Sequence, residues 1–68
     1  MAFELLNTKA AAVHVALSPV TLERLRLTGD GPQYAKLTPG PRGPVRYRRA
    51  DLDEWVASRL VHSTSEGA

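Results

Sequence analysis

The sequence contains no cysteine. Disulfide staples and thiolate metal sites are therefore excluded. No apolar run approaches the roughly 20 residues that a membrane-spanning helix needs. The opening "MAFELLNTK" has no basic segment followed by a long apolar one, so it does not read as a signal peptide. No internal repeat is present, and "GDGP" lacks the lysine and the glycine spacing of a phosphate-binding loop. At 68 residues the chain has room for one domain. A domain this small buries only about 60% of the surface its unfolded chain exposes. That leaves no room for a deep catalytic cleft with a supporting shell. The totals point to a non-enzymatic, cytoplasmic protein with no cofactor and no membrane contact.

Charge is unevenly spread. Residues 1–49 hold eight basic groups (Lys9, Arg24, Arg26, Lys36, Arg42, Arg46, Arg48, Arg49) against Glu4, Glu23 and Asp30, a net of +5. Residues 50–68 hold Arg59 against Asp51, Asp53, Glu54 and Glu66, a net of −3. A basic body with an acidic end suits a polyanion binder with one face turned away, although scattered surface charge alone could give the same totals.

Local signals divide the chain into five elements. "KAAAVHVA" is alanine-rich and predicts a helix over about residues 9–15, with Thr8 as its N-cap. Ala12 and Val15 share one side, with Ala11 beside them, and their small size admits a close neighbour. "ALSPVTLERLRLTG" stops that helix and starts another. Ser18 is an N-cap candidate, Pro19 suits the first helical position, and Gly29 suits a left-handed end. The second helix is expected over residues 19–28. Two short helices joined by Ala16, Leu17 and Ser18 form a helix-turn-helix signature. Residues 34–38 and "VRYRR" predict two strands, with Val45 and Tyr47 on one face of the second and Arg46 and Arg48 on the other. "RADLDEWVASRL" predicts a third helix over residues 49–60. Residues 61–68 read as a flexible tail. The expected fold is α+β: a small winged helix-turn-helix with a two-stranded hairpin wing, occupying residues 1–60.

The expected core is Ala12, Val15, Leu17, Leu22, Leu25, Leu52, Trp55 and Val56. Leu22 and Leu25 define the buried side of the second helix. At 100° per residue the opposite side carries Val20, Arg24 and Leu27, with Thr21, Glu23 and Thr28 at its margins. Arg24 can pair bidentately with guanine, and Val20 or Thr21 can touch a thymine methyl. Ser18, Val20, Thr21, Arg24 and Thr28 are thus the candidate reading residues. Exposed Val20 and Leu27 would equally suit a protein contact.

The segment "TPGPRGPVRYRR" packs three prolines and two glycines into residues 39–45, with four arginines in and just after them. Pro39, Pro41 and Pro44 limit the loop's conformations, so less entropy is lost on docking. Arg42, Arg46 and Arg48 can then reach phosphates or the minor groove, with Lys9, Arg26 and Lys36 on the flanks. His14 and His62 do not cluster with other ligands, so no metal site is expected. The acidic residues Asp51, Asp53 and Glu54 at the start of the third helix are accounted for by its dipole.

With these residues in place, the chain resembles the excisionase-like and AlpA-like branch of the MerR-related winged helix-turn-helix domains. "LLNTKAAAVHVALSPVTLERLR" is similar to that family's opening and "VRYRRADLDEW" to its strand-into-helix ending. The likeness covers residues 5–60. The chain departs from the family pattern at Ala10 (often glutamate), Ala16 (commonly glycine) and Ala50 (often serine), and its wing is longer and richer in proline. A left-handed alanine at position 16 would cost roughly 1 kcal/mol, which suggests a tighter or different turn. The resemblance implies site-specific binding of double-stranded DNA, with the second helix in the major groove and the wing on backbone or minor groove. It implies a recombination directionality factor that bends attachment-site DNA for a tyrosine integrase. The alternatives are a transcriptional regulator of a prophage or integrative element, working with RNA polymerase, and a protein-interaction module such as an antitoxin. Head-to-tail self-association along DNA and a bacterial or phage origin complete these expectations.

Overall fold

A computed structural model describes residues 4–61. The elements are β1 (Leu5–Leu6), α1 (Thr8–Val15), α2 (Pro19–Thr28), β2 (Ala35–Lys36), β3 (Val45–Arg48) and α3 (Arg49–Ser58). The cap of α1 is Asn7, not Thr8: the Asn7 side chain accepts from the Ala10 N–H at 2.8 Å. Thr8 instead opens the helix, which leaves its hydroxyl available to α2. Ser18 caps α2 as expected, accepting from the Thr21 N–H at 3.1 Å. Gly29 ends that helix with φ +81°.

The interhelical turn keeps its left-handed geometry without glycine. Ala16 sits at φ 62°, ψ 39°. The Leu17 N–H donates to the Ala12 carbonyl at 2.9 Å, which satisfies an orphan carbonyl at the helix end. The expectation of a tighter or different turn is thus corrected. The closing hydrogen bonds hold the alanine where glycine would sit without strain.

The wing is part of a three-stranded antiparallel sheet ordered β1-β3-β2, rather than an isolated two-stranded hairpin. Leu5 pairs with Arg48 and Leu6 with Tyr47. Ala35 pairs with Arg46 and Lys36 with Val45. The expected strand over residues 34–38 shortens to Ala35–Lys36; opposite Leu37 stands Pro44, which has no N–H to extend the ladder. The wing tip is closed by the Gly43 N–H donating to the Gly40 carbonyl at 3.2 Å, and its base by the Leu37 N–H donating to the Pro44 carbonyl at 2.9 Å. A Cβ on Gly43 would lie 2.2 Å from the Thr38 carbonyl oxygen, so only glycine fits there.

Helix α3 follows β3 with no loop and no side-chain cap. Two ion pairs steady its start: Arg48 grips Asp51 through two hydrogen bonds of 2.7 and 2.9 Å, and Arg49 meets Glu4 at 2.5 Å. Its end comes at Ser58, two residues before the expected one. His14 of α1 bonds Asp53 of α3 at 2.7 Å, tying the first helix to the last. Asp51 and Asp53 therefore make specific contacts beyond their interaction with the helix dipole.

The core is Ala11, Ala12, Leu22, Tyr47 and Leu52, with Leu6, Val15 and Val45 packed against it. Alanine pairs on α1 bring α2 close, as small residues should. Burying Leu22, Leu52 or Tyr47 stabilises by roughly 1.5–3 kcal/mol each. Leu17, Leu25 and Trp55 are only partly buried. Val56 is a correction: it is 40% exposed, because α3 meets α1 and β3 along the line of Leu52 and leaves the next turn uncovered. Trp55 spans the remaining gap, donating its indole N–H to the Asp30 carbonyl at 3.0 Å. Arg59 donates to the same carbonyl and lies over the Trp55 ring at 5.2 Å. His62 and the rest of the expected tail beyond Val61 lie outside the described residues.

Candidate nucleic-acid interface

Helix α2 packs on α1 and on the core through Leu22 and, partly, Leu25. Its opposite side faces solvent. Val20 is 63% exposed and Leu27 87%. Arg24 lies between them, exposed, and makes no hydrogen bond or ion pair with the described residues. Leucine this open on a short helix has no role in the monomer's core.

The hydroxyls around this face are partly committed. The Ser18 hydroxyl donates to Thr21 Oγ1 at 2.8 Å while capping the helix. The Thr28 hydroxyl donates to the Leu25 carbonyl at 3.2 Å. Each oxygen retains acceptor capacity, but Ser18 and Thr28 act first on their own helix. Thr21 sits at the margin, half-buried.

The basic residues fall into two groups. Lys9, Lys36 and Arg42 are exposed, with no ion pair to the described residues. Arg46 uses one guanidinium nitrogen on the Val45 carbonyl at 2.8 Å, and its charge is uncompensated among the described residues. Arg26 and Arg48 are engaged elsewhere. Arg26 turns inward: one nitrogen donates to the Tyr47 hydroxyl at 2.9 Å and to Thr8 Oγ1 at 3.4 Å. Its guanidinium also lies 5.7 Å from the centre of the Tyr34 ring, and that ring is 6.1 Å from Tyr47. Arg26 therefore clasps α2 to the start of α1 and to the sheet. Arg48 is bound to Asp51, which raises its pKa through the hydrogen bonds and the opposite charge.

In the sequence the charge of Arg26 is visible and its partner is not, which puts it among the flanking contacts. That partner, Tyr47, shares one face of the second strand with Val45 in the sequence pattern and is not among the expected core residues.

Lys9 stands at the start of α1, Arg24 on the open face of α2, and Lys36, Arg42 and Arg46 on the strands and loop of the wing; Lys9 and Arg46 line one notch with Glu23 of α2. Cations on several short elements can hold a polyanion's backbone while a helix reads its groove. Among the described residues no cluster of side chains suits a metal ion, and no helix is long and apolar enough to cross a membrane.

The chain matches a family of helix-turn-helix domains over residues 5–60. It belongs to that family, the AlpA/excisionase-like helix-turn-helix domains, and its three helices and antiparallel sheet are those of an α+β winged helix-turn-helix. The family is one of DNA-binding domains, typically without enzymatic activity. A search of curated proteins found no match to the chain.

Proposed function

We propose that the protein binds a specific double-stranded DNA site as an excisionase-type recombination directionality factor. It enters the major groove with α2 and steadies itself on the backbone or minor groove with the wing. The observation that supports this best is the outer face of α2. There Arg24, with no partner among the described residues, stands between two exposed apolar side chains, while Lys36, Arg42 and Arg46 of the wing make no ion pair with those residues. In this reading Ser18, Val20, Thr21, Arg24 and Thr28 line the groove, and Lys9, Lys36, Arg42 and Arg46 meet phosphates. Residues 1–60 form the functional unit. The protein acts in the cytoplasm of a bacterium, encoded by the host or by a phage, beside a tyrosine integrase.

Directionality factors work by shaping DNA. The test is selection of a binding site from randomised duplexes, followed by energy transfer between dyes at the ends of that site. A bend on binding, together with an integrase gene beside the coding sequence, supports the architectural role. A straight complex over a promoter favours the transcriptional regulator. Leu27, at 87% exposure, supports an added protein contact, either with a second copy head-to-tail along the DNA or with another partner. Stepwise, cooperative band shifts on multi-site DNA are expected for the head-to-tail arrangement, and a single shift at saturation contradicts it.

A further inference from the structure

Glu23 lies where three elements meet. It lines a notch with Lys9 of α1, Pro19 and Arg26 of α2 and Arg46 of the wing base. It is exposed, and its carboxylate makes no ion pair with the described residues despite these neighbours. One guanidinium nitrogen of Arg26 turns away to Tyr47 and Thr8, and one of Arg46 bonds the Val45 carbonyl. An uncompensated carboxylate therefore stands within the basic surface, one residue before Arg24.

Placed against a duplex, that carboxylate is repelled by phosphates and loses hydration. It needs a donor in return. On the major-groove edge the donors are the amino groups of cytosine N4 and adenine N6. Adenine presents its N7 acceptor beside that amino group, which repels the second carboxylate oxygen. Cytosine does not. Resting on the reading of α2 as the groove-entering helix, we propose that Glu23 is a specificity-determining residue. It selects a cytosine near the guanine that Arg24 reads, and it penalises every duplex position that lacks the amino donor.

The amide of glutamine is the diagnostic replacement, because it removes the charge, keeps the shape and pairs bidentately with adenine N6 and N7. The wild type and Glu23→Gln are each used to select duplexes from a randomised pool. Both are then titrated, at one salt concentration, on the wild-type consensus and on a scrambled duplex. The expected result is a loss of about 5- to 150-fold for Glu23→Gln on the consensus, the equivalent of one lost base contact. Binding to the scrambled duplex should be equal or tighter, and one selected position should shift from cytosine to adenine. Glu23→Ala should lose the cytosine preference without gaining one for adenine. An equal change on both duplexes, or a selected consensus that the glutamine variant shares unaltered, overturns the inference while leaving DNA reading by α2 intact. A wild type that selects no consensus overturns both.

Discussion

Removing Arg42 should flatten the salt dependence of DNA binding by a definite amount. Of the basic residues proposed as DNA contacts, Arg26 is clasped to Tyr47 and Arg48 is bound to Asp51. Arg24 is assigned to a base. Lys9, Lys36, Arg42 and Arg46 remain for phosphates, with no acidic partner among the described residues. Four released counterions give a slope of log affinity against log salt of about −3.6, a loss of roughly 150-fold between 50 and 200 mM salt. Arg42→Ala should bring the slope to about −2.7 and that loss to roughly 40-fold. The effect should be the same on any duplex, because a phosphate contact carries no sequence information. Fluorescence anisotropy with a labelled duplex at four or five salt concentrations reads both quantities. A slope that Arg42→Ala leaves unchanged refutes the wing as a DNA contact. A wild-type slope of about −5 or steeper would mean that the clasped arginines leave their partners on binding.

Three further outcomes follow from the same contacts. Ala16→Gly relieves a left-handed alanine at φ 62°, and after the entropy that glycine adds to the unfolded chain it should stabilise by up to about 1 kcal/mol, or about 4–8 °C in thermal melts; a lower melting temperature would contradict the strain. Gly43→Ala would push a Cβ to 2.2 Å from the Thr38 carbonyl oxygen, so the wing must open. NMR shifts confined to residues near 37–44 and a several-fold loss of DNA affinity are expected, and an unchanged spectrum would refute the closed tip. Arg26→Met removes the bonds to Tyr47 and Thr8 and strands the Tyr47 hydroxyl, costing about 1–3 kcal/mol by denaturant titration, with no flattening of the salt slope. A flattened slope with unchanged stability would return Arg26 to the DNA surface.

The helices were legible because their ends carry strong local signals. Ser18, Pro19 and Gly29 bracket α2 at the residues where it begins and ends. The exposed placement of Arg24 followed from the buried Leu22 by rotation alone. Other features depended on contacts between residues far apart in the chain. Strand β1 is two residues long and exists because Leu5 and Leu6 pair with β3, a partner that no local pattern announces. Tyr47 is 1% exposed, yet it stood in the sequence between two arginines, within a run that reads as charged surface. Its burial and the inward turn of Arg26 are one event, since each satisfies the other. Val56 fits the spacing of a buried stripe, but periodicity does not say where the neighbouring element ends. Asn7 and Thr8 are both competent caps; Asn7 takes the role, and the Thr8 hydroxyl instead accepts from Arg26 of another helix.

The central claim is that α2 reads base edges, and Arg24→Ala tests it most directly. The side chain is exposed with no partner among the described residues, so its loss should leave thermal stability within about 0.5 kcal/mol. Wild type and variant are titrated on the selected duplex and on a scrambled one at a single salt concentration. A loss of about 1–3 kcal/mol on the selected duplex, with a much smaller loss on the scrambled one, is the predicted result. Equal losses on both would reduce Arg24 to a phosphate contact, and no loss on either would mean that α2 is not the element that enters the groove.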